Sequence, residues 1–191
     1  MQITSGDLKR KKLSFSSSLC IRPTSEKVRS AIFDIIRPKI KKSKFLDLFA
    51  GTGAVGIQAL SEGASLSCFV EENWKCINVI KKNLKELYFL DKAIVVRKSV
   101  ERFVREDKDL FKDFDFLFLD PPYNYADNKY NLLLEELVDC LKNGAIVIIE
   151  HSSRRLGDNF FLKYEFVNYR LKRYGDTTLT ILCRTDSEKE R

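Results

Sequence analysis

The chain has 191 residues, of which 44% are hydrophobic and 32% are charged, and this composition suits a single globular domain with a substantial core. It contains no apolar stretch of membrane-spanning length, and the basic cluster at residues 9–12 is not followed by the apolar segment of a signal peptide, so we expect a cytoplasmic protein. The five cysteines are odd in number and include no CxxC pair. They indicate neither a disulfide framework nor a zinc site, and we expect no bound metal.

The net charge of +7 is unevenly distributed along the chain. Residues 1–44 hold 12 lysines and arginines against three acidic residues, whereas the remainder holds 22 against 24. A basic segment on a near-neutral body is typical of proteins that bind nucleic acid, and a solvated surface is the alternative interpretation. We therefore expect a basic N-terminal arm at 1–43 that packs on or extends from the core, a core domain at 44–185, and a disordered tail at 186–191.

From residue 44 onward, strand-like and helix-like patterns alternate. Short apolar runs predict strands at 44–49, 66–71, 93–97, 114–119 and 145–149. The helices expected between them are one at 54–62 that ends at Gly63, one capped by Asn73, a short one capped by Ser99, and one around 132–141 that ends at Gly144. Residues 162–172 and 177–183 predict an antiparallel hairpin. Repeated βα units imply an α/β fold with a doubly wound, mostly parallel sheet.

The first βα turn carries the pattern GxGxxG, from Gly51 through Gly53 to Gly56, and Glu71 lies twenty positions after Gly51. Glycines there let a ligand approach the backbone at a helix N-terminus, and the acid can accept hydrogen bonds from ribose hydroxyls. Asp47 lies just ahead of the glycines, where a carboxylate would repel a pyrophosphate but attract the ammonium of a methionine moiety. The turn therefore favours S-adenosylmethionine (SAM) over NAD, with a tight turn that simply requires glycines as the structural alternative.

The second motif, Asp120-Pro121-Pro122-Tyr123, follows the apolar run at 114–119. Prolines cannot continue a sheet ladder and hold the backbone in an extended turn, so the carboxylate, the neighbouring carbonyls and the ring are presented together. Such a group can hold the amino edge of a flat base. In an open doubly wound sheet, ligands bind outside the carboxyl ends of the strands where the strand order reverses, so we expect this turn to face the glycine loop.

The two motifs occur in the order found in the RsmD family, and the chain resembles that family over nearly its whole length. The resemblance rests on Ile21-Arg22-Pro23-Thr24, residues 46–53, Val70-Glu71, the DPPY turn and Tyr174-Gly175-Asp176-Thr177. RsmD proteins are bacterial class I methyltransferases that modify the exocyclic N2 of a guanine in small-subunit (16S) ribosomal RNA. The resemblance implies a Rossmann-like class I methyltransferase fold, with a mostly parallel seven-stranded sheet that ends in an antiparallel hairpin.

The resemblance also implies the residues of the site. The catalytic residues are expected at Asp120, Pro121, Pro122 and Tyr123. The residues that bind SAM are expected at Asp47, Phe49, Ala50, Gly51, Thr52, Gly53, Gly56, Glu71, Ser99 and Val100. The charge of the arm further predicts substrate contacts at Lys9, Arg10, Lys11 and Lys12. Arg22, Thr24 and Arg29 lie in the basic arm and in the family-like segment, and we expect them to bind RNA phosphates or the cofactor carboxylate. Many relatives have an aspartate where this chain has Ser99, which can accept a hydrogen bond from adenine but carries no charge.

We expect a monomer whose substrate is 16S rRNA or a 30S subunit assembly particle. Two alternatives stay open: an adenine-N6 methyltransferase acting on DNA or RNA, because the same turn could hold any exocyclic base amine, and a catalytically inactive RNA-binding assembly factor. Two further residues are conspicuous. We interpret His151 as structural or on the surface rather than at the pocket mouth, and Trp74 as packed rather than in contact with adenine.

Overall fold

The computed structural model describes residues 1–15, 24–122, 125–153 and 166–184. The chain divides into two compact units, Met1–Val100 and Glu101–Arg191. The predicted tail at 186–191 and the first residues of the predicted hairpin, 162–165, lie outside the described residues.

The first unit alternates helices and strands around parallel pairings. Its elements are α1 (Glu26–Ile40), β1 (Lys44–Leu48), α2 (Ala54–Ser61), β2 (Leu66–Glu71), α3 (Trp74–Glu86) and β3 (Ala93–Arg97). β2 pairs in parallel with β1 on one side and β3 on the other. The predictions of three strands and one helix, which correspond to β1, α2, β2 and β3, are confirmed. Gly63, with a φ of 99°, follows the end of α2 as expected.

The second unit contains the prolyl turn and the antiparallel end of the sheet. Its elements are α4 (Val100–Glu106), which begins at the boundary between the units, α5 (Lys108–Phe111), β4 (Phe116–Leu119), α6 (Asp127–Val138), β5 (Ile146–Ser152), β6 (Phe166–Tyr174) and β7 (Thr177–Arg184). β4 and β5 pair in parallel, whereas β7 pairs antiparallel with both β5 and β6.

The seven strands follow the order β3-β2-β1-β4-β5-β7-β6 in one mixed sheet. The doubly wound, mostly parallel sheet that ends in an antiparallel hairpin is therefore confirmed. None of the helices in the described part of the chain is long and apolar enough to span a bilayer.

Helix α1 was not predicted, although its signals are present in the sequence. Ser25 is the N-cap, and its side chain accepts a hydrogen bond from the Val28 amide at 3.2 Å. Val28, Ile32 and Ile36 recur at helical spacing and are buried. Residues 26–40, which we expected to be part of a basic arm, thus form an amphipathic helix whose apolar face is buried.

The first 15 residues also form defined structure. Gln2 and Lys12 form an antiparallel bridge, and the Ile3 amide donates to the Lys11 carbonyl at 2.9 Å. Ile3 and Leu13 are buried, so this N-terminal hairpin packs as part of the first unit.

Several boundaries in the second unit differ from the prediction, among them the start of β4, which is at Phe116 rather than at residue 114. Helix α6 ends at Val138 rather than continuing to Gly144, because residues 139–144 form turns that lead into β5. Strand β5 extends three residues beyond the predicted Ile149, because the pairing with β7 continues to Ser152↔Thr177.

Candidate active site

The glycine loop leaves β1 in an unusual backbone conformation. Phe49, Gly51 and Gly53 all have positive φ values, of 62°, 54° and 75°. A positive φ costs glycine little, whereas the backbone of an aromatic residue such as Phe49 is strained in this conformation. Gly53 is the N-cap of α2, and a Cβ there would lie 2.9 Å from Ile80 Cγ1. The loop is therefore built for a close turn into a helix, as the GxGxxG pattern predicts.

Glu71, at the carboxyl end of β2, joins the glycine loop to the start of α3. Its Oε2 accepts a hydrogen bond from the Gly51 amide and its Oε1 accepts one from the Asn73 amide, both at 2.8 Å. Asn73 in turn caps α3, as predicted, by accepting from the Lys75 amide at 3.0 Å. Each carboxylate oxygen has two acceptor sites. Glu71 is half-buried, so acceptor capacity remains at the ligand end of the strand.

Asp47, on β1, accepts a hydrogen bond from the helix that follows the glycine loop. Its side chain is 1% exposed, and its Oδ2 accepts a hydrogen bond from the Gly56 amide at 2.8 Å in the first turn of α2. The carboxylate therefore lies where it is stabilised by the N-terminal amides and dipole of that helix. The expected contact of Asp47 with a ligand ammonium stays a prediction.

Gly56 lies against β2 rather than on an open surface. A Cβ at this position would lie 2.4 Å from Phe69 Cε1 and 2.8 Å from Ser67 Oγ. The third glycine of the pattern therefore permits close packing of helix on strand, which is a distinct role from direct contact with a cofactor. Ala50 and Thr52 of the loop are also buried.

The third strand ends near two more of the expected cofactor residues. Ser99 is half-buried between β3 and α4, and Val100, the first residue of α4, is 3% exposed. Val100 can offer an apolar surface to a flat ring, and the Ser99 hydroxyl can accept a hydrogen bond.

The prolyl turn follows β4 directly. Asp120 is half-buried, Pro121 is buried and Pro122 is exposed. The Tyr125 amide donates to the Pro122 carbonyl at 2.8 Å, which closes the turn before α6. Tyr123 lies outside the described residues, so its expected stacking on a base stays a prediction.

Tyr125 anchors this turn within the second unit. Its hydroxyl donates to Glu101 Oε1 at 2.9 Å, and its ring meets that of Tyr130 edge-on, with the centroids 6.2 Å apart. Burial, followed by the hydrogen bond and the charge of Glu101, raises the pKa of Tyr125 well above its ordinary value. Tyr125 is thus a neutral donor at every physiological pH, and it ties the residues after DPPY to α4.

A family model described as "Conserved hypothetical protein 95" matches residues 1–183. Ribosomal RNA small subunit methyltransferase D from Buchnera aphidicola (strain APS) is 33% identical over 80% of this chain and 78% of its own length, and its namesake from Haemophilus influenzae is 34% identical over 78% of each chain. The chain belongs to the RsmD family. A crystal structure of an RNA methyltransferase from Salinibacter ruber in complex with S-adenosyl-L-homocysteine shares the fold, with a TM-score of 0.65 and 16% identity over 89% of this chain and 98% of that one.

In this RsmD-family chain, the basic cluster of the arm is at the surface. Lys9, Arg10, Lys11 and Lys12 are all exposed in the N-terminal hairpin. The hairpin is attached to α2, since the Thr4 amide donates to Gln58 Oε1 at 2.8 Å. The four cations are therefore presented on an ordered element of the first unit.

The other expected RNA contacts of the arm are differently placed. Arg29 is fully buried, and its guanidinium donates to the Gln2 carbonyl, which fastens the hairpin to α1. Burial lowers the pKa of Arg29, and its Nε and Nη1 have no hydrogen-bond partner among the described residues. The prediction of a direct contact between Arg29 and RNA is wrong for this arrangement, because no part of the side chain reaches the surface. Thr24 is 8% exposed, and Arg22 lies outside the described residues.

Two interpretations from the sequence have opposite outcomes. His151 is buried, and its Nε2 is 2.8 Å from Thr180 Oγ1 on the neighbouring β7, so a structural role is confirmed. Trp74 is 53% exposed at the first position of α3, and its interpretation as a packed residue is wrong. Helical spacing could have revealed this, because residue 74 falls on the same face as Lys81 and Lys85.

Proposed function

We propose that this chain is a SAM-dependent methyltransferase that transfers a methyl group to the exocyclic N2 of a guanine in small-subunit (16S) rRNA. The observation that carries the proposal is the pair of hydrogen bonds by which Glu71 links the glycine loop to the start of α3, in a chain of the RsmD family. Its substrate would be 16S rRNA or a 30S assembly particle in the cytoplasm, and the enzyme would act as a monomer.

The residues of the first unit fit SAM. Glu71 retains acceptor sites for ribose hydroxyls, and the turn at residues 49–53 brings the backbone close to a ligand at the carboxyl ends of β1 and β2. Ser99 and Val100 at the end of β3 would bind the adenine. When bound, SAM supplies a methyl group activated by a positively charged sulfur.

The position of Asp47 argues against a dinucleotide at the same loop. Dinucleotide-binding folds use the N-terminal amides of this helix to bind a pyrophosphate. Here the Gly56 amide already donates to a buried carboxylate, so a pyrophosphate would meet negative charge at that helix end. A sulfonium cofactor meets no such repulsion.

The prolyl turn would hold the target amine. The lone pair of an exocyclic amine is delocalised into the purine ring, and hydrogen bonds from its two N–H groups to the Asp120 carboxylate and the Pro121 carbonyl would favour a pyramidal nitrogen. The nitrogen then forms a bond to the methyl carbon while the carbon–sulfur bond breaks, and the surplus proton passes to Asp120 or to water. Alignment of the two reactants is the main contribution available to the protein.

A substitution of Asp120 tests this role. Asp120→Ala should lower the rate of methyl transfer by about 10²–10³-fold, because the amine loses its charged acceptor, while SAM binding measured by calorimetry stays unchanged. Transfer is measured with tritiated SAM and 16S rRNA or 30S particles from cells that lack the enzyme, followed by mapping of the modified nucleotide.

Asp115 provides the matched control. It lies just before the other end of β4, where it forms an ion pair with Lys142 at 2.6 Å. Asp115→Ala should retain transfer. Full activity in Asp120→Ala would contradict the mechanism, and a methyl group mapped to adenine N6 would contradict the guanine assignment.

A further inference from the structure

The solvent face of α3 combines an exposed aromatic ring with an excess of positive charge. Cys76, Ile80 and Leu84 turn one side of the helix into the core. The opposite side consists of exposed residues, with four lysines and a single acid: Trp74, Lys75, Asn78, Lys81, Lys82, Lys85 and Glu86. We call this set the α3 lysine face.

Most of the positive charge on this face is uncompensated. Lys82 forms an ion pair with Glu86, with 3.8 Å between Nζ and Oε1. Within the described part of the chain, Lys75, Lys81 and Lys85 form no ion pair. Three lysines along a helix about 20 Å long are available to a polyanion.

Trp74 lies at the end of the face nearest the glycine loop. It directly follows Asn73, whose amide donates to Glu71 at the carboxyl end of β2. The Lys75 ammonium lies 6.0 Å from the centre of the indole ring, within the range of a cation–π contact. A half-exposed tryptophan beside lysines is the combination on which unpaired bases stack while cations bind the adjacent phosphates.

Helix α3 is hydrogen-bonded to the N-terminal segment of the first unit. The Ser14 amide donates to Asn83 Oδ1 at 2.7 Å, and the Asn83 side-chain amide donates back to the Ser14 carbonyl at 3.2 Å. Asn83, on the buried side of α3, is 1% exposed. The hairpin that carries the exposed cations at residues 9–12 is therefore hydrogen-bonded to the helix that carries these lysines.

We propose that the α3 lysine face is an RNA-binding surface, on which Trp74 stacks against an unpaired base near the target and Lys75, Lys81 and Lys85 bind phosphates. This inference rests on the proposed function, because it assumes an RNA substrate. It adds a surface outside the basic arm.

The chain contains a single tryptophan, so its intrinsic fluorescence reports on Trp74 alone. Unmodified 16S rRNA transcribed in vitro should quench this fluorescence, whereas SAM alone should leave it unchanged. Trp74→Ala should weaken rRNA binding on the order of tenfold and raise the KM for rRNA without lowering kcat, and Trp74→Phe should restore most of the affinity. Quenching by SAM without RNA would overturn the inference, since the ring would then contact the cofactor.

Lysine variants test the phosphate contacts. Lys85→Gln should reduce the slope of log affinity against log salt concentration by about 0.7, whereas Lys39→Gln, which removes an exposed lysine of α1, should leave the slope unchanged. Unchanged rRNA affinity in Trp74→Ala would overturn the inference. The inference would also be overturned if Trp74→Ala lost binding to 30S particles but not to free rRNA, because that result would indicate a ribosomal protein as the partner. Failure of the proposed function can be distinguished from failure of this inference, because in the former case the wild-type protein would transfer no methyl group to rRNA.

Discussion

At the scale of single residues, the carboxylates of the site hold the backbone in place. Glu71 accepts amides from both Gly51 and Asn73, and Asp47 accepts one from Gly56. Hydrogen bonds to a charged acceptor contribute about 1.5–3 kcal/mol each. The loop conformation is therefore maintained by the protein itself, which lowers the cost of ordering it when a ligand binds.

The buried thiol of Cys76 gives a prediction about pH. Burial, and then the negative charge of Glu71, raises the pKa of Cys76 from 9.0 to about 11. Since the unfolded chain loses this proton first, the stability contributed by the neutral thiol is fully present below pH 9 and is lost as pH rises to 11.

The free energy of unfolding, measured by urea titration, should therefore fall more steeply between pH 9 and 11 in the wild type than in Cys76→Ala. The two proteins are compared by this pH dependence, because Cys76→Ala also changes core packing and hence absolute stability. Identical pH dependence in both proteins would mean that the thiol is not linked to folding.

At the scale of elements, the contact between α2 and β2 determines the geometry of the loop. Gly56 is the point of closest approach, because a single added carbon would overlap the ring of Phe69. The same glycine donates its amide to Asp47, so a shift of the helix would also move that hydrogen bond.

Gly56→Ala should lower the free energy of unfolding by about 1–3 kcal/mol through overpacking, and should weaken SAM binding as α2 moves away from β2. Gly144→Ala is the control, because this glycine also has a positive φ, of 80°, but no described residue lies within 4 Å of the added carbon. Gly144→Ala should cost some stability through backbone strain and leave SAM affinity unchanged. Equal SAM affinities in the two variants would argue against a link between this packing and the loop.

At the scale of the whole molecule, the excess positive charge is presented by ordered structure. The basic cluster at residues 9–12 lies on a hairpin whose Ile3 and Leu13 are buried, and Arg29 fastens that hairpin to α1. A polyanion would therefore meet a fixed array of cations, so little conformational entropy is lost on binding.

Replacement of all four residues at 9–12 by glutamine should weaken rRNA binding and lower the salt slope by about 3, since each phosphate contact contributes about 0.7. A control variant with the same change in charge replaces Lys39, Lys41, Lys108 and Lys129, which are exposed elsewhere. Filter-binding titrations at several salt concentrations provide the measurement. A salt slope equal to that of the wild type would show that residues 9–12 do not contact the RNA.

Local signals in the sequence were sufficient for the elements that form the sheet. The alternation of apolar runs, the Asn73 cap and the glycine after α2 each act within a few residues, and the bounds of β2 and β3 match the prediction. The family and the positions of the two motifs are likewise readable from short segments, because turn chemistry depends on neighbouring residues.

The surface of the molecule was decided only by tertiary structure. Arg29 is buried through a contact with Gln2, 27 residues away, and Ser14 binds Asn83, 69 residues away. A basic residue in a charge-rich segment looks the same in the sequence whether it faces solvent or lies beneath a hairpin, because burial depends on which distant segment packs over it. The sequence by itself therefore determined the order of strands and helices along the chain and the residue types of the candidate site, whereas only the tertiary structure decided which cations and which aromatic ring are available to a partner.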